Sequence, residues 1–167
     1  MNNSYVQRPD GYLERTPWGK FLLIGLLFGI WGTAVALNDV LIAQFKEVFT
    51  LSNVASALIQ SAYFGAYFLV SLPTSMLIKK YSYKVAIVIG IALFAGGSLL
   101  FYPASLAGSY MPFLCCIFIM AIGAGMLEMS CGTYVVMMGS PKESTLRSSI
   151  AQTINPIGNI VGIALGK

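Results

Sequence analysis

The sequence has no histidine and very little charge: Lys, Arg, Asp and Glu together make up 10% of its residues. A water-soluble domain typically carries about 25% charged residues, so a deficit of this size excludes an ordinary solvated surface. The lack of histidine, with no CxxC pair and no HExxH run, removes the usual zinc sites, and nothing has the form of a phosphate-binding loop. Cysteine is also scarce. Cys115, Cys116 and Cys131 all lie inside apolar runs, where a thiol behaves as a small buried hydrophobe. A disulfide framework would need a polar, loop-rich secreted chain. Basic residues outnumber acidic ones, 10 to 6, yet they are scattered between apolar stretches and form no patch with interleaved aromatics. That excludes a nucleic-acid footprint. No nucleophile, base and orienting group converge at one depth, so no enzyme, metal or cofactor is expected.

What the chain does have is apolar bulk: 57% of its residues are hydrophobic and its mean hydropathy is +0.77. Charges punctuate the apolar runs. From Phe21 to Phe45 the only one is Asp39, and from Val48 to Ile78 there is none. From Val85 to Leu127 there is again none, but Tyr102-Pro103 through Gly108-Ser109 breaks that run in two. A helix crosses the bilayer core with about 20 apolar residues. The pattern predicts an all-α, polytopic transmembrane bundle. Its five spans fall near 20–45, 53–78, 84–102, 111–139 and 147–166, behind an N-terminal tail at 1–18. The tail is polar and mixed in charge, without a signal peptide's apolar core or cleavage site, so the first span is expected to serve as an uncleaved insertion signal.

Orientation follows from the basic residues in the short loops. Arg8, Arg15, Lys20, Lys79, Lys80, Lys84, Lys142 and Arg147 fall on one side; the opposite loops hold only Lys46. This places the N-terminus in the cytoplasm of a multi-pass protein of the cell (inner) membrane. Small residues recur at helical spacing, as in Gly25/Gly29, Gly158/Gly162 and Gly162/Gly166, which in lipid allows close helix packing. Pro73, Pro112 and Pro156 should kink or start helices.

Asp39 and Glu128 are the informative residues. A carboxylate at membrane depth costs several kcal/mol, so it faces a partner or a water-filled cavity. At 1.5 Å per residue, Asp39 lies roughly 28 Å along the first span and Glu128 about 15 Å from the cytoplasmic end of the fourth. Neither has a Lys or Arg inside the membrane to pair with. Desolvation favours the protonated carboxyl and contact with bulk water favours the ionised one. A group that alternates between the two can carry a proton across. For Asp39 the plainer alternative is an interfacial residue in a helix-end turn. Around these two lie Asn38, Gln60, Gln152, Asn155 and Asn159, whose amides suit sugar hydroxyls or act as interhelical glue. Trp31, Tyr63, Phe64 and Tyr67 could stack on a sugar ring or simply pack.

At these residues the chain resembles the N-terminal half of sugar:proton symporters of the major facilitator superfamily, in the fucose/galactose/glucose branch. The matching pieces are Leu37-Asn38-Asp39 with Gln44-Phe45, Phe49-Thr50-Leu51 and Leu58-Ile59-Gln60-Ser61-Ala62. They continue with Lys79-Lys80-Tyr81-Ser82-Tyr83-Lys84, Phe101-Tyr102-Pro103-Ala104, Leu127-Glu128 and Ala151-Gln152-Thr153-Ile154-Asn155. The resemblance implies the first five spans of a twelve-helix carrier working by rigid-body alternating access. In it Asp39 and Glu128 take part in sugar binding and proton coupling, and Gln152 and Asn155 are hydroxyl ligands. Leu127-Glu128 resembles the fucose subgroup; the galactose/glucose subgroup typically has Gln at that position. Two departures stand out: Ser130-Cys131-Gly132-Thr133 replaces the family's Ala-Ala-Asn-Pro, and Val35-Ala36 replaces an upstream Asn. The expected partners are a small sugar, protons, the lipid bilayer and the missing C-terminal spans of the same transporter, since five helices cannot complete one six-helix half. The alternatives are a non-transporting membrane remnant or adaptor, and a carrier of the same superfamily for another small solute.

Overall fold

Hydrocarbon offers no partner to a backbone N–H or C=O, so an apolar run that enters it must satisfy these groups within itself, as a helix does. The computed structural model describes residues 12–13, 15–48, 53–106 and 109–166, apart from several side chains that include those of Asn38, Lys46 and Gln60. Arg8, Phe49–Leu51 and Ala107 lie outside the described residues. Five α-helices follow one another: α1 (Trp18–Val48), α2 (Asn53–Lys80), α3 (Tyr83–Leu106), α4 (Tyr110–Met137) and α5 (Ser144–Leu165), with a 3-10 turn at Pro141–Glu143 before the last. Among the described residues, α1 to α4 are each long and apolar enough to cross a membrane.

The helix ends follow local chemistry. Lys79 and Lys80 occupy the last turn of α2, where cations complement the helix dipole. Ser82 precedes α3 and its hydroxyl accepts the N–H of Val85 at 3.3 Å, the bond of an N-cap. α3 does not stop at Tyr102. It continues through Pro103 to Leu106, because a proline so near a C-terminus removes one ladder bond and leaves the preceding turns intact.

Packing divides the chain into two units, one made of the residues up to Ala43 with those from Cys131 onward, the other of Gln44–Ser130. In the first, α1 and α5 lie backbone against backbone. A Cβ on Gly158 would strike the carbonyl of Gly29, and one on Gly162 would stand 2.8 Å from the Cβ of Ala36. The Thr33 hydroxyl donates to the carbonyls of Gly29 and Gly158, each at 3.0 Å. Spacing by four puts these small residues on one face of each helix. On the other face of α1, Leu22, Leu26 and Ile30 are largely exposed.

The same unit holds a clasp at the C-terminus of α4. Arg147 is buried, 3% exposed. It donates from Nη2 to the carbonyls of Val136 (2.9 Å) and Ser140 (3.0 Å), and from Nε to that of Val135 (3.4 Å). The Val135 and Ser140 carbonyls also accept the backbone N–H groups of Met138 (3.3 Å) and Glu143 (3.1 Å), so the guanidinium adds to the bonds that close the end of α4. Read as a loop charge in the sequence, Arg147 is in fact a helix cap. The N–H of Leu13 donates to Met137 O at 3.1 Å, and Gly139 turns the chain at φ 139°, where only glycine sits without strain.

In the second unit α4 supplies much of the core through Phe113, Ile117, Met120, Ala121 and Ala124. Gly97 of α3 admits the Met120 backbone and Gly123 of α4 admits that of Phe94. On α2, Ala66, Val70 and Thr74 are buried, while Phe64, Phe68, Leu72 and Met76 form an exposed stripe. A stripe of this kind would be an aggregation hazard in water and is the ordinary surface of a helix facing lipid.

Candidate substrate and proton site

The polar residues singled out from the sequence fall in both units. In the first, Asp39 is exposed on α1. It lines a cleft of about 330 Å³ together with Ala36, Val40 and Ala43 of the same helix and Asn159 and Ile163 of α5. The Oδ1 atom of Asn159 is buried without a hydrogen-bond partner, and such an acceptor is costly unless a ligand or water completes it. Asn155, one turn earlier, is partly committed: its Nδ2 donates to the carbonyl of Phe28 at 3.3 Å across the α1–α5 contact. Its second N–H and its oxygen remain as hydrogen-bonding capacity. Gln152 is exposed and its Nε2 donates to the Ser148 hydroxyl at 2.9 Å. The structure thus brings Asp39 together with Asn159. The side chains of Asn38 and Gln60 lie outside the described residues.

In the second unit Glu128 is exposed on α4, and its carboxylate lies within electrostatic reach of the hydroxyl of Tyr67 from α2. That hydroxyl lies 3.3 Å from the hydroxyl of Tyr63, one turn back on the same helix, with the two rings 5.1 Å apart. The sequence marked Tyr63 and Tyr67 only as rings that stack or pack. A signal for the placement of Tyr67 was present in Gly125, one turn before Glu128 on the same face of α4. A Cβ there would meet Tyr67 at 3.5 Å and Val70 at 2.9 Å, so the missing side chain is what lets α2 approach α4 beside the carboxylate. Among the described residues neither Asp39 nor Glu128 forms a salt bridge with a Lys or Arg.

The family model of the Major Facilitator Superfamily matches residues 19–167. The chain belongs to this superfamily. Its curated relatives in the superfamily are transporters, not enzymes. One is the L-fucose-proton symporter of Escherichia coli (strain K12), 40% identical over 147 residues, which are 88% of this chain and 34% of the relative. The glucose/galactose transporter of Brucella abortus is 41% identical over 141 residues, 84% of this chain and 34% of the relative. A crystal structure of the E. coli fucose:proton symporter matches with a TM-score of 0.81 at 37% identity, covering 91% of this chain and 36% of that one. The likeness to the fucose/galactose/glucose branch read from the sequence is borne out, and with it the all-helical facilitator fold. The chain spans about a third of the length of these relatives.

Proposed function

We propose that these helices serve in a proton-coupled sugar carrier of the cell membrane, working by alternating access with the N-terminus in the cytoplasm and taking a fucose-like hexose. The observation that carries this reading is Glu128. It is an acidic side chain deep in α4, exposed and, among the described residues, without a salt bridge to a basic side chain, in a chain 40% identical over 147 residues to a named L-fucose-proton symporter. An ionised carboxylate cannot be closed off from water cheaply, whereas a protonated one can. A carrier that closes over sugar only when Glu128 holds a proton therefore moves both together. Asp39, Asn159 and Asn155 offer acceptors and donors to sugar hydroxyls on the α1–α5 side.

A glucose/galactose substrate is the second reading, favoured by the 41% identity to the Brucella transporter. The acidic side chain at 128 weighs against it, because Gln is typical there in that subgroup. Both readings are tested by adding sugar to a lightly buffered suspension of cells that express the full-length carrier containing this sequence. L-fucose should alkalinise the medium as protons enter with it, and a protonophore should abolish the signal. D-galactose in place of L-fucose giving the signal would select the second reading; no proton movement with any hexose would overturn both.

A further inference from the structure

The cleft between α1 and α5 has polar side chains at only two places, Asp39 and Asn159. Ala36, Val40 and Ala43 of α1 and Ile163 of α5 supply the rest of its lining. Asn159 and Ile163 are one turn apart on α5, and Ala36, Val40 and Ala43 follow at helical spacing on α1. An apolar wall therefore runs beside the polar groups along the edge of the α1–α5 seam. A carboxylate at membrane depth has to meet water or a partner, so Asp39 marks this edge as a wetted one. The cleft measures about 330 Å³, at the small end of ligand sites, which run from roughly 300 to 1,000 Å³. That suits one sugar ring rather than a chain of them.

Val40 and Ile163 line the cleft from opposite helices. Both are β-branched and therefore stiff at χ1. Val40 is held further by the end of α5: a Cβ on Gly166 would stand 3.2 Å from its Cγ1 and 3.3 Å from its Cγ2. Two fixed aliphatic side chains make a corner, which receives a methyl group, rather than a plane, which receives a ring face. A hydroxyl put in that corner finds no donor or acceptor on either side chain, and a buried hydroxyl without a partner is costly. A methyl group gains there by leaving water. We propose that Val40 and Ile163 are specificity-determining residues that seat the C6 methyl of a 6-deoxyhexose, while Asp39 and Asn159 take hydroxyls of the ring. This rests on the reading of the chain as part of a hexose carrier, and it names the feature of the sugar that is selected: carbon 6 without its oxygen.

The test uses the full-length carrier containing this sequence and two pairs of sugars that differ only at carbon 6. L-fucose is 6-deoxy-L-galactose and is paired with L-galactose; D-fucose is paired with D-galactose in the same way. Affinity for each sugar is measured by titration calorimetry of the solubilised carrier as wild type, Ile163→Val and Ile163→Thr. The two variants share a shape and differ by a hydroxyl in place of a methyl group. The ratio of affinities within each protein does not depend on how much of it is folded. A buried hydroxyl left unpaired corresponds to roughly tenfold or more. Wild type and Ile163→Val should therefore favour the 6-deoxy member of the bound pair about tenfold. Ile163→Thr offers the C6 hydroxyl a partner and should bring that ratio to within about threefold. Equal affinity of wild type for both members of the pair would overturn the inference. A ratio that does not differ between Ile163→Val and Ile163→Thr would do the same. Either result leaves the hexose reading standing, since a hexose still binds. Failure of all four sugars to bind wild type would overturn that reading and this inference with it.

Discussion

Asp39 shares its cleft with Asn159, an amide whose oxygen is buried and unsatisfied. One side chain offers charge and the other an acceptor, on opposite walls contributed by α1 and α5. Two sugar hydroxyls placed between them could donate one to the Asn159 oxygen and one to the carboxylate. A hydrogen bond to a charged group contributes about 1.5–3 kcal/mol, so Asp39→Ala in the full-length carrier should weaken sugar binding roughly ten- to a hundredfold, at 1.4 kcal/mol per decade. Asp39→Asn keeps an acceptor and should lose less. Calorimetric or fluorescence titration of the two variants reads this directly; wild-type affinity in Asp39→Ala would reduce the residue to an interfacial carboxylate. The two carboxylates were legible in the sequence because a charge in an apolar run is conspicuous. Their neighbours were not. Asn159 looked like any helix-bonding amide, and Tyr67 like any aromatic, until the glycines facing them fixed which helix faces meet.

At the level of helices, the α1–α5 contact depends on the absence of side chains. A Cβ on Gly158 has nowhere to go except into Gly29, whereas one on Gly96 of α3 meets nothing within 4 Å. Overpacking costs about 1–3 kcal/mol, so Gly158→Ala should destabilise the protein by that amount. Gly96→Ala should be neutral or slightly stabilising, since alanine is the better helix former by about 1 kcal/mol. Unfolding in detergent, followed by helical circular dichroism, compares the two; equal stability would mean that α1 and α5 do not pack through this seam. The Gly158/Gly162 spacing was visible in the sequence as a packing pattern, but not its partner, because periodicity marks a face without saying what lies against it. Arg147 shows the same limit. Its charge suggested a loop, and only the fold reveals the three carbonyls it caps. Arg147→Ala removes the charge-assisted bonds to those carbonyls and should cost about 1.5–3 kcal/mol, read in the same unfolding assay; Arg147→Lys should recover part of it.

For the molecule as a whole, the bias of basic residues toward one set of loops predicts which ends of the helices face the cytoplasm. With the native cysteines replaced, Lys46→Cys and Ala107→Cys in intact cells should react with a membrane-impermeant maleimide, and Ser82→Cys and Lys142→Cys should not. The reverse pattern would invert the topology. The measurement closest to the central claim compares uphill uptake with exchange in a Glu128→Gln variant of the full-length carrier. The amide keeps the shape of the side chain but cannot take up a proton. Sugar exchange between equal pools should persist within a few-fold of wild type, while accumulation driven by an imposed proton gradient falls to the level seen with a protonophore. Accumulation by Glu128→Gln equal to that of wild type would contradict the account, because the proton would then have to travel on another group.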